Sequence, residues 1–146
     1  MKKEIEYPFQ FYLRIIVHNL KRYVDNLLKP YGIGSQQARI IGFIYEKQKQ
    51  EVALCQKDIE AWIGITGASV TSLLQGLEKK GFIKRITGVK DERTKELILT
   101  NKGKELIDTL IAIFNDAEKK IVQGMTNEQK KFTLQLLQLI SEKFEG

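Results

Sequence analysis

The sequence predicts a mainly α-helical fold with one small β-hairpin, and three observations predict it. Apolar residues recur at three- and four-residue spacings over most of the chain, the period of a helix with one buried face. That period gives way to short apolar and β-branched runs only between residues 82 and 99, the pattern of two strands. Two short apolar helical patterns also meet across Gly64-Ile65-Thr66-Gly67, the outline of a helix-turn-helix. With 146 residues the chain can bury a core without disulfides or metals. One domain, or two small ones sharing a core, is expected.

The first helix carries Phe9, Leu13, Ile16, Leu20, Val24 and Leu27 as one stripe. Pro8 suits its first turn, and Pro30, Gly32 and Gly34 end it. Ser35 is the expected N-cap of a second helix with Ala38, Ile41, Ile44 and Tyr45 inward, and the polar run Lys47 to Glu51 reads as its frayed end and a loop. The next two helices bury Ile59 through Ile63 and then Val70, Leu73, Leu74 and Leu77. Thr66 can cap the second of them. Its other face carries Ala68, Ser69, Thr71, Ser72 and Gln75, small or hydrogen-bonding side chains that let a backbone approach a groove closely.

Gly81 turns the chain into the hairpin, whose strands are Phe82 to Thr87 and Lys95 to Leu99 around a polar loop, Gly88 to Thr94. Thr100 caps a long helix with Leu106, Leu110, Ile113, Phe114, Ala117 and Ile121 on one face, ended near Gly124. Thr126 and Gln129 have capping-box spacing for a last helix bearing Phe132, Leu136, Leu137, Ile140 and Phe144.

Charge narrows the function. From Glu78 to Lys104 there are nine cations against four anions, so most of the net +6 lies in one stretch. A focused basic segment suits phosphate attraction, and a solvated surface is the other reading of the same charges. One histidine, His18, and one cysteine, Cys55, leave no catalytic triad, no internal disulfide and too few ligands for a structural zinc site, and no glycine-rich phosphate loop is present. An enzyme, a metal and a cofactor are therefore not expected. The N-terminus lacks the features of a signal peptide and no apolar run has membrane-spanning length. A cytoplasmic protein without a membrane partner is expected.

Three pieces of the sequence carry a resemblance to a known family: Ser69 through Ile83 at the recognition helix and turn, Asp91-Glu92-Arg93 at the hairpin tip, and Leu97-Ile98-Leu99-Thr100-Asn101-Lys102-Gly103 at the exit. Each is weak alone. In this order and spacing they resemble the MarR family of winged helix-turn-helix regulators over nearly the whole chain. Two positions depart from that pattern: Cys55 stands where a threonine or serine usually begins the helix, and Glu60, followed by Trp62, stands where a small residue is commoner.

The resemblance implies a winged helix-turn-helix DNA-binding domain over residues 34–103, flanked by helical dimerisation regions at 1–33 and 104–146. The DNA-contacting residues it implies are Thr66, Gly67, Ala68, Ser69, Thr71, Ser72 and Gln75 at the turn and recognition helix, and Lys90, Asp91 and Arg93 at the wing. Ser69, Thr71 and Ser72 would contact bases or phosphates, the alternative being incidental polar surface. Arg93 would enter a minor groove with Asp91 orienting it, the alternative being a solvated tip. Lys84, Arg85 and Lys90 read equally as nonspecific phosphate contacts or plain surface. The implied partners are double-stranded DNA with an inverted-repeat site, a second copy of the chain, and a small apolar effector that relieves repression. The terminal stripes agree with a homodimer, because they offer more apolar surface than one small wing domain can cover. Other readings stay open: a redox-sensing repressor using Cys55, a small enzyme, or a winged helix used for protein contact. Aromatic residues including Phe9, Phe11, Tyr12, Tyr23, Tyr31, Phe43, Tyr45 and Trp62 would line an effector pocket or simply form core.

Overall fold

A computed structural model describes residues 4–87 and 95–145 of the chain. Among the described residues it has six α-helices and one antiparallel hairpin. In chain order they are α1 Pro8–Leu28, α2 Ser35–Lys49, α3 Gln56–Ile63, α4 Gly67–Lys79, β1 Ile83–Thr87, β2 Lys95–Leu99, α5 Asn101–Ile121 and α6 Asn127–Glu142. A short 3-10 turn, Lys29–Tyr31, joins α1 to α2. The elements and their order are those the apolar periodicity predicts. Among the described residues, no helix is long and apolar enough to cross a membrane.

Pro8 opens α1, where its missing N–H costs nothing. The expected stripe is only half covered. Of the stripe, Val24 is buried and Leu20 and Leu27 are half-buried, whereas Phe9 is 82% exposed and Ile16 52%; at the helix end Leu28 is the buried residue in place of Leu27. The α2 cap lies one residue earlier than Ser35, at Gly34. Two acceptors explain the shift: Gln37 Oε1 accepts the Gly34 N–H at 3.1 Å, and Asp25 Oδ1 on α1 accepts the Ser35 N–H at 2.8 Å. Helix α2 is the centre of the core, with Ala38, Ile40, Ile41 and Ile44 fully buried. It continues through the polar run read as a loop as far as Lys49, and Gln48 has a structural task there, accepting the Leu99 N–H at 2.9 Å.

The end of α4 forms a Schellman motif. The Phe82 N–H donates to Leu77 O and the Gly81 N–H to Glu78 O, with Gly81 at φ 81°, the left-handed conformation that glycine adopts without a Cβ penalty. The hairpin follows at once, with Ile83 opposite Leu99 and Arg85 opposite Leu97. Leu97 N–H also donates to Leu54 O at 2.8 Å, which ties the segment before α3 to the edge of β2. Thr100 then joins three pieces of chain. Its hydroxyl donates to Gly81 O and accepts the Gly103 N–H as the cap of α5, while its backbone N–H donates to Phe82 O.

The chain divides into two compact units, one running to Phe114 and the other beginning at Asn115. The first buries Leu28, Ile41, Ile44, Ile59, Leu74, Leu77 and Leu97 almost completely. The second contains the end of α5 and all of α6. Thr126 and Gln129 make the expected capping box at 2.9 and 3.1 Å. No residue of α6 is buried, and Phe144 lies past the helix end at Glu142 and is 84% exposed.

Candidate nucleic-acid interface

The turn between α3 and α4 is built by local chemistry. Gly64 closes α3 at φ 71°, donating its N–H to Glu60 O, and two residues later Thr66 opens α4. Thr66 Oγ1 accepts the Ser69 N–H at 3.3 Å and its hydroxyl donates to Ser69 Oγ at 2.9 Å. This cap satisfies one of the free N–H groups at the helix start. Val70, Leu74 and Leu77 then face inward with no measurable exposure. Thr66, Gly67, Ala68, Ser69, Ser72 and Gln75 are all exposed. Among the described residues neither the Ser72 nor the Gln75 side chain has a hydrogen-bond partner. Apart from Thr71, the sequence-derived candidates on α4 thus lie together on one solvent-facing side.

Thr71 differs from its neighbours. It is half-buried, its hydroxyl donates to Gly67 O at 2.9 Å, and it accepts from Gln56 Nε2 on α3 at 2.7 Å. The wing candidates Lys90, Asp91 and Arg93 lie outside the described residues. The strands that frame them present an exposed Lys84 and an exposed Lys95.

The sequence reads Arg85 equally as a phosphate contact or plain surface, and the geometry gives it another place. Its Nε lies 2.6 Å from Glu78 Oε1 on α4, and its Nη2 donates to Gln56 Oε1 at 3.2 Å. Gln56 was not singled out by the sequence, because partners 15 and 29 residues away leave no periodic signal. Glu60 and Gly67 also explain each other. Glu60 accepts from Gln56 Nε2 at 3.2 Å, and its carboxylate lies where a side chain at Gly67 would begin, 3.0 Å from an ideal Cβ. The unusually large residue on α3 is accommodated by the absent side chain on α4.

Cys55 caps α3 poorly, as its side chain suggests: the thiol makes no capping hydrogen bond, and Asp58 Oδ2 instead reaches back to the Cys55 N–H at 2.9 Å. His18 is exposed on α1.

A cleft of about 360 Å³ opens elsewhere in the first unit, between α2, Trp62 of α3 and the α5 residues Ile107, Leu110, Ile111 and Phe114. Phe43 and Trp62 stack in its wall, centroids 4.2 Å apart and planes 6° from parallel. Arg39 lies 5.3 Å from the Trp62 ring and Lys47 5.5 Å from the Phe43 ring, so the stack is capped by a cation at each end. Of the aromatic residues that the sequence offers for a pocket, Phe43, Tyr45 and Trp62 line the cleft.

Comparison with known proteins places this geometry. The model of the MarR family matches residues 31–94. A putative MarR family transcriptional regulator from Clostridium acetobutylicum is 35% identical, with 95% of this chain and 100% of that one covered and a TM-score of 0.66. MepR of S. aureus, solved in complex with DNA, is 28% identical with a TM-score of 0.80 over 99% of this chain and 100% of its own. YwaE, an uncharacterized HTH-type transcriptional regulator of Bacillus subtilis (strain 168), is 29% identical over 90 residues, 62% of this chain. This match spans about half of that curated relative's length, 53%. The turn, the recognition-type helix, the hairpin and the long helices around them recur together across relatives that match from end to end, and the chain belongs to the MarR family.

Proposed function

We propose that this MarR-family chain is a DNA-binding transcriptional regulator, not an enzyme, that acts in the cytoplasm as a homodimer on an inverted-repeat operator. One observation carries the reading: α4 buries an apolar face and turns outward a contiguous face of small or polar side chains, Ala68, Ser69, Ser72 and Gln75. An α-helix of this kind fits the major groove, where hydroxyl and amide groups can hydrogen-bond base edges. Thr66 and Gly67 lie at the helix start, where backbone N–H groups favour a phosphate. Lys90, Asp91 and Arg93 complete the interface at the wing, with Arg93 reading groove shape.

In this reading residues 34–103 are the DNA-binding lobe, and 1–33 with 104–146 form the dimer. The exposed apolar rows on α1 and on α6 support it, since each is the kind of face another chain covers. The aromatic cleft is the candidate site for a small apolar effector that biases the dimer toward a shape with weaker DNA affinity, making the protein a ligand-responsive repressor.

Selection of duplexes from a random library, followed by anisotropy titration at several salt concentrations, tests the function. The expected result is a dyad-symmetric site with half-sites roughly 34 Å apart, bound with strong salt dependence. A selected site without a dyad removes the dimeric reading, and no preference over scrambled duplex removes operator recognition. A panel of hydrophobic drugs and phenolic compounds that all leave DNA affinity unchanged removes the effector.

A further inference from the structure

The polar groups between α3, α4 and β1 form one continuous chain, and every member's chemistry is accounted for. Arg85 is donor-only, and it donates to Glu78 Oε1 and to Gln56 Oε1. Ionised Glu60 is acceptor-only, and it accepts from Gln56 Nε2. These two neighbours fix the orientation of the Gln56 amide, because a flipped amide would face Arg85 with N–H groups and Glu60 with oxygen. The other N–H of Nε2 goes to Thr71 Oγ1 at 2.7 Å. The Thr71 hydroxyl, approached by this donor, has its own proton on Gly67 O at 2.9 Å. The order of bonds is therefore Glu78, Arg85, Gln56, Thr71, Gly67. It leads from the far end of α4, through the wing strand and the start of α3, back to the first turn of α4.

We propose that Gln56 is a positioning residue for sequence reading, and that Thr71 acts through it instead of reading a base with its hydroxyl. The inference rests on the DNA-reading function proposed above. Gln56 touches the recognition helix at Thr71, one turn from its start, and it is held by the arginine that anchors β1. It thereby fixes the roll of α4 relative to the wing strand. A change in that roll moves base-edge contacts out of hydrogen-bond range while leaving phosphate attraction largely intact.

The experiment is a double-mutant cycle on the full-length protein with Gln56→Met and Thr71→Val, each close in size to the residue replaced. The readout is the ratio of affinities for a selected and a scrambled duplex at one salt concentration. Each single variant is expected to lower that ratio about tenfold, with scrambled-duplex affinity unchanged. The double variant is expected to be no worse than either single one. Additive losses overturn the proposal, because they mean Thr71 reads a base independently. Equal losses on both duplexes overturn it as well, since they mark a general structural or phosphate role. If Gln56→Met does not fold, Arg85→Lys carries the test by breaking the same chain from β1, with the same expected fall in ratio and non-additivity with Thr71→Val. A wild-type protein without sequence preference overturns both this inference and the function beneath it. Wild-type preference with additive losses overturns this inference alone.

Discussion

Gly103, in the first turn of α5, has no room for a side chain: a Cβ there would overlap the Phe82 carbonyl oxygen. That oxygen also accepts the Thr100 N–H, so it cannot withdraw without breaking the join between hairpin and helix. Gly103→Ala is expected to cost about 2 kcal/mol or more, as overpacking against fixed backbone does, read as a lowered midpoint in thermal or urea unfolding. Asp25 gives a pH dependence. Burial opposes its ionisation, but the Lys21 ammonium at 2.7 Å and the Ser35 N–H at 2.8 Å outweigh that and hold the carboxyl below its ordinary value. A depressed folded-state pKa means stabilisation that is present above the unfolded value, about 3.9, and lost as pH falls through the folded one. Asp25→Asn should therefore lower the melting temperature at neutral pH, and the gap from wild type should close in acid below that value. At this scale the legible residues were those with local chemistry. Thr66, Thr100 and Thr126 cap the helices that follow them, and Gly81 turns the chain, because each partner lies within a few residues. Arg85 was not legible, since its partners Glu78 and Gln56 lie on two different helices, α4 and α3, away from its own strand.

Periodicity identifies each element whose face is buried within this chain, although α2 is capped at Gly34 instead of Ser35 and runs on to Lys49. The periodicity of α2, α4 and the first half of α5 specifies both the helix and its packing. For α1 and α6 it specifies the helix only, because apolar spacing carries no information on whether the covering surface belongs to the same chain. Ile16 at 52% exposed and Phe132 at 60% show the difference. The strand pattern fixed β2 at both ends and β1 within one residue, Phe82 being held in the turn by its bond to Leu77 O. The wing and the recognition helix should fail differently when altered. Arg93→Ala is expected to weaken binding to selected and scrambled duplexes alike and to flatten the plot of log affinity against log salt. Ser72→Ala should cost about 1 to 3 kcal/mol per half-site on the selected duplex only. Anisotropy titrations across salt check both, and an unchanged slope for Arg93→Ala would take the wing out of the interface.

For the whole molecule, the fold class and family were legible because three short motifs keep their order and spacing, whereas the cleft was not, since it joins residues from α2, α3 and α5. The assembly expectation belongs here too. Exposed Phe132, Leu136, Leu137 and Leu139 on α6, and Phe9, Tyr12, Ile16 and Val17 on α1, are more apolar surface than a monomer usually leaves bare. Sedimentation at micromolar concentration is expected to give twice the 16.9 kDa chain mass, and Leu136→Glu to shift the population toward the single-chain mass. A wild-type protein that sediments only at the single-chain mass would end that expectation. The stacked pair in the cleft has a further consequence. Trp62 is the one tryptophan in the sequence, so all indole emission from this protein originates at the Phe43 stack. The molecule carries its own optical gauge of that cleft: a compound that enters and parts the two rings should change the emission of unlabelled protein, and one that acts elsewhere should leave the spectrum as it was.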